Sequence, residues 1–126
     1  MTKTTNLQVL LGATTEITKV VPLKRLGISF KVKALSNAEI ERVRMENTFS
    51  DGKGGKKVDE TKLGAALIAK ACVDPLFSDR TLIDHYNAED AADCVLKALL
   101  PGELQKVNAA VMEASGFGDD EIDFPN

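Results

Sequence analysis

The chain has 126 residues, 44% apolar and 28% charged, with a formal net charge of −3. These values suit one globular domain able to bury a core, and they exclude the basic surplus that marks generic affinity for nucleic acid. No apolar run approaches the ~20 residues of a membrane-spanning helix, and the first residues lack the long apolar stretch of a signal peptide, so the expected place is the cytoplasm, with neither nucleic acid nor membrane as partner.

Asn6–Gly12 sets Leu7, Leu10 and Leu11 on one helical face, one or two turns long. The period then changes. Ile28, Phe30 and Val32 alternate with Ser29, Lys31 and Lys33, which predicts a half-exposed strand. The β-branched run at 17–21 predicts its partner, with Pro22 at a strand end or edge and Gly27 in the turn. A two-stranded hairpin over about 14–35 is marginal alone and must pack on helices.

Ser36 and Glu39 form a capping box, with Leu35 and Ile40 as the hydrophobic staple, so a helix starts there. Ile40 and Val43 mark its inner face, and it should fade near 47–49. Residues 50–58 hold three glycines and three lysines and are expected to form a solvated flexible loop. The stretch 59–77 is the most apolar in the chain. Asp59 caps it, Pro75 ends it, and the near-absence of polar residues over 63–73 predicts a helix buried on several sides. Leu82, Ile83 and Tyr86 predict a short helix over about 79–85. Asn87 is expected to cap the next long helix, whose inner face is Ala91, Ala92, Val95, Leu96, Leu99 and Leu100. Pro101 and Glu103 start another, with Leu104, Val107, Val111 and Ala114 inward and Gly116 as its stop. Phe117 should fold back on that last turn. The class expected is mainly α (α+β), close to all-α. It is a small bundle of four to five helices with an N-terminal β-hairpin packed on it, in one domain over 1–117, followed by a flexible acidic tail at 118–126.

Nothing in this order assembles an active site. Cys72 and Cys94 each fall inside a predicted helix, as buried small hydrophobes with no disulfide. His85 has no nucleophile placed beside it and is assigned to a cap or the surface. The Gly/Lys loop fails both the phosphate-loop spacing and the EF-hand pattern. Asp119, Asp120, Glu121 and Asp123 cluster only in the tail. The expectation is no catalysis, no cofactor and no metal.

Three segments in order resemble one family. Val32-Lys33-Ala34-Leu35-Ser36 leads a strand into a capped helix. An apolar helix ends in Val73-Asp74-Pro75 and is followed by Leu82, Ile83 and Tyr86. Lys97-Ala98-Leu99-Leu100-Pro101-Gly102-Glu103 leads on to Val111 and Ser115-Gly116-Phe117. Together they are similar to the XkdN-like tail assembly chaperones of Gram-positive phages and prophages. The 7–11 patch resembles the short leading segment of such proteins.

That resemblance implies a non-enzymatic helper of tail morphogenesis. It would act in the host bacterial cytoplasm and be absent from the mature virion, and this chain would correspond to the shorter of two products related by a frameshift. The implied partners are the tape measure protein and the tail tube protein, with a homo-oligomer also open. A tape measure protein offers long apolar helical stripes that an apolar groove can hold. The partner-binding residues expected on that reading are Leu7, Leu10, Leu11, Leu63, Leu67, Leu82, Leu96 and Leu99. Two other readings stand beside it, a small helical adaptor module and a structural tail component.

Overall fold

The computed structural model describes residues 5–14 and 16–117. In chain order these form α1 (Asn6–Gly12), β1 (Thr18–Leu23), β2 (Ile28–Lys33), α2 (Asn37–Glu46), β3 (Thr48–Ser50), β4 (Lys56–Val58), α3 (Glu60–Ala71), β5 (Cys72–Asp74), α4 (Arg80–Tyr86), α5 (Ala91–Ala98) and α6 (Pro101–Ala114). Helices dominate, yet the two small sheets make the chain α+β and not all-α.

The capped helix starts where the sequence places it. Ser36 Oγ accepts from the Glu39 amide at 3.1 Å, and Glu39 accepts from the Ser36 amide at 3.0 Å. These bonds satisfy donors that the first turn of a helix leaves free. The Ser36 amide is also the main reason that the Glu39 carboxyl sits below its usual range. α3 is the central helix. Leu63, Ala65, Leu67, Ile68 and Ala71 are buried, and it packs against α2, α5, α6 and β2. Such burial on several sides is what an almost wholly apolar helix requires.

The hairpin β1–β2 pairs Val21 with Phe30 and Val20 with Lys31. Its inner face, Val21, Leu23, Phe30 and Val32, is buried beneath α6, which turns Val107, Ala110, Val111 and Ala114 inward. Phe30 meets Phe77 edge-to-face, with ring centroids 5.8 Å apart. Ile28 shares the parity of Phe30, but it is the first residue of its strand and stays exposed. Pro22 lies on an edge strand, where its missing N–H costs no ladder bond.

Four expectations are corrected, the first being Leu100, which lies beyond the end of α5 and is 54% exposed instead of inward. The apolar helix does not run to Pro75. It stops at Ala71, and Cys72–Asp74 becomes β5, antiparallel to β2. Pro75 drives the residue before it to extended geometry, and the free edge of β2 supplies the partner, so Cys72 is buried in a strand and not in a helix. Residues 50–58 are not simply a loop, because β3 and β4 pair through Thr48–Val58, Phe49–Lys57 and Ser50–Lys56. Asn87 caps the other helix. It closes α4 in the left-handed region at φ 52° and ψ 48°, and α5 is capped by Asp90, which accepts from the Asp93 amide at 2.8 Å.

The last helix ends on a glycine at φ +95°. The Phe117 amide then donates to Met112 O at 2.9 Å and the Gly116 amide to Glu113 O at 3.1 Å, the double bond of a left-handed C-terminal cap. The Phe117 backbone folds back as expected, while its side chain stays half exposed. The predicted acidic tail at 118–126 lies outside the described residues.

Candidate binding surface

A binding protein must expose apolar area that it leaves unsatisfied by its own core. Two places do so. The first is α1. Thr5 caps it, exchanging bonds with Gln8 at 3.0 and 3.1 Å, and it ends at Gly12. None of its residues is buried. Leu7 is 66% exposed, Leu10 74% and Leu11 77%. Their spacing puts all three within about 100° of the helix circumference. α1 is therefore an apolar arm carried ahead of the hairpin and not part of the core.

The eight leucines expected to bind a partner separate into three groups. Leu7, Leu10 and Leu11 share the α1 stripe. Leu82 and Leu96 are half-buried against the core. Leu63, Leu67 and Leu99 are core residues, with 7%, 7% and 5% of their surface exposed. They present no area in this structure, since the inward stripes of α3 and α5 face each other and consume them.

The second place was not foreseen. A groove of about 430 Å³ lies between α2 and the β3–β4 hairpin, lined by Glu41, Arg44, Met45, Thr48, Phe49 and Lys56 among others. Met45 is 68% exposed and Phe49 47%. The hairpin tip is held by Asp51, whose carboxylate accepts from the amides of Lys53 at 2.7 Å and Gly55 at 3.0 Å. Those two bonds hold the Asp51 carboxyl below its usual range. A side chain at Gly55 would meet Asp51 Oδ2 at 2.8 Å and would push that carboxylate out of the turn. The glycines that suggest a loop thus build a turn. The clue in the sequence was Thr48-Phe49 on one side of that turn and Val58 on the other, short β-prone ends that pair Thr48 with Val58.

Elsewhere the charged groups serve the fold. Arg25, in the turn of the first hairpin, donates to Glu103 through Nε at 2.8 Å and Nη2 at 2.7 Å, and to Ala98 O at 3.1 Å. Glu103 also accepts from the Leu100 amide at 2.8 Å. The Arg25 guanidinium, then that amide, holds the Glu103 carboxyl below its usual range. This clasp joins the hairpin to the α5–α6 junction. Lys19 pairs with Glu113 across β1 and α6. The two cysteines are free. Burial pushes the Cys72 thiol up to about 11 and raises that of Cys94, which keeps both protonated and unreactive. Among the described residues no group of His, Cys, Asp or Glu is placed to hold a metal ion, and no helix is long and apolar enough to cross a membrane.

The family model of the phage XkdN-like tail assembly chaperone proteins matches residues 7–124. The chain belongs to that family. The match takes in the α1 leucines, the core and most of the acidic segment of this tail assembly chaperone. No curated protein matches it. Its fold is similar to the crystal structure of the protein YqbN, with a TM-score of 0.68 and 23% identity over 91% of this chain and 99% of that one. At that identity the likeness concerns the fold.

Proposed function

We propose that this tail assembly chaperone binds the tape measure protein of its phage and keeps it soluble in the host cytoplasm until the tube is built. The domain over 1–117 acts as one non-enzymatic unit and leaves before the particle is complete. The observation that carries this reading is the α1 stripe, three leucines of a charge-free helix left mostly to solvent. A long apolar helix is the chemistry that such a stripe fits. The family supports a phage tail protein as partner.

Co-expression tests it. The tape measure protein is produced with and without this chain, and its soluble fraction is measured after centrifugation. A marked rise is expected; an unchanged soluble fraction overturns the reading. Mass spectrometry of purified particles should find no stoichiometric copy of the chain. Finding one would favour a structural tail component.

A further inference from the structure

The groove between α2 and the β3–β4 hairpin has an apolar floor and a basic surround. Met45 and Phe49 lie exposed in it. Arg42, Arg44, Lys53, Lys56 and Lys57 stand on the two elements that form it, and none of them takes part in an ion pair among the described residues. Of the acids on the same elements and turn, Glu39 is engaged by the Ser36 amide and faces Lys33 and Asp51 is engaged by turn amides, leaving Glu41 and Glu46. Such a surface suits an extended segment with one or two large apolar residues between carboxylates.

The chain itself contains that segment. Residues 119–124 read Asp-Asp-Glu-Ile-Asp-Phe, with Ile122 and Phe124 two apart, as on one face of an extended chain. The tether also has the right length. α6 ends beside the start of α2, where the Leu35 amide donates to Ser115 Oγ at 2.9 Å. From there α2 covers about 15 Å to the groove, while seven extended residues reach about 23 Å.

We propose that segment 119–124 of the same chain docks in the α2–hairpin groove, with Ile122 and Phe124 against Met45 and Phe49 and its carboxylates facing Arg44 and Lys56. The groove is then an interaction surface for acidic, apolar peptide, and the chain's own segment is its resident occupant. A tail protein bearing the same pattern would have to displace it. This does not depend on the tape-measure reading, which rests on α1.

The full chain, with p-benzoylphenylalanine in place of Phe124, is irradiated at low concentration and the cross-links are mapped by mass spectrometry. The expected product is a cross-linked monomer joined to the peptide containing Met45 and Phe49. Arg44→Glu with Lys56→Glu should lower its yield by about tenfold, and ~0.5 M salt should lower it several-fold. Both side chains are exposed, so thermal melting should confirm that the double variant stays folded. Cross-links scattered over other surfaces, cross-links formed only between chains, or a yield indifferent to the charge reversal would each overturn the proposal.

Discussion

Replacing Leu7, Leu10 and Leu11 together by glutamine tests the α1 grip most directly. Glutamine keeps helix propensity near that of leucine, and the Thr5–Gln8 box is untouched. Full burial of a leucine stabilises by ~1.5–3 kcal/mol. These three are 66%, 74% and 77% exposed, so covering what remains yields ~1–2 kcal/mol each and ~3–6 kcal/mol together. Fixing three leucine side chains costs ~0.5–1 kcal/mol apiece. The surplus is ~1.5–3 kcal/mol, or roughly 10- to 150-fold in dissociation constant. Titration calorimetry with a soluble tape measure fragment reads this loss, and co-expression reads it as lost solubility. Because α1 buries none of its residues, the melting temperature should move by only about 2 °C. Binding within about threefold of the wild type would remove α1 from the interface. A large fall in melting temperature would refute the claim that α1 stands apart from the core.

Other outcomes follow from the fold. Ile68→Ala empties a site only 1% exposed at the centre of α3 and should cost ~2–5 kcal/mol, lowering the melting temperature by roughly 10 °C or more. Gly116→Ala should destabilise by ~1–2 kcal/mol in urea titration; no atom lies within 4 Å of the added carbon, so the cost is the φ of +95° and not a clash. Glu39, Asp93 and Glu103 have carboxyls held below their usual range by hydrogen bonds and cations. The stability they contribute is present above the unfolded carboxylate pKa of ~4 and is lost as pH falls through the lower folded values. Urea midpoints should therefore drop below about pH 4. Glu103→Gln should be less stable than wild type at pH 7, with a shallower acid decline. Cys72 and Cys94 should react with a thiol reagent only in denaturant; rapid labelling of the native chain would contradict their burial.

Much of this fold is written in local sequence. The Ser36–Glu39 box, the alternation through Phe30 and Val32 and the Pro101–Gly116 frame each state one element unambiguously, because cap chemistry and side-chain period are local properties. What escaped notice depends on distant partners. Nothing within 72–74 distinguishes a last helical turn from a strand; the free edge of β2, forty residues earlier, decides it. Asn87 can open or close a helix, and its left-handed backbone chose closure. The leucines divide for the same reason. Leu7 and Leu67 look alike in sequence, and only the packing of α3 on α5 shows which is already satisfied.

That division bears on how a chaperone of this kind can let go. Isolated helices shorter than ~12–15 residues are marginal in water, and α1 has seven residues, none of them buried. Its capping box is the main local support. A stripe on so short an arm must be ordered afresh each time it grips, and that ordering reduces the affinity drawn from its apolar area. The rest of the chain loses nothing when the arm releases, since the core of α3, α6 and the sheet does not include it. On the proposed reading, weak repeated grips by many copies would hold a long apolar helix soluble yet give way to the more extensive contacts of the assembling tube. A leucine stripe built into the rigid core would bind more tightly and would be harder to strip off. On the proposed reading, keeping α1 outside the core would suit a temporary cover better than a permanent subunit.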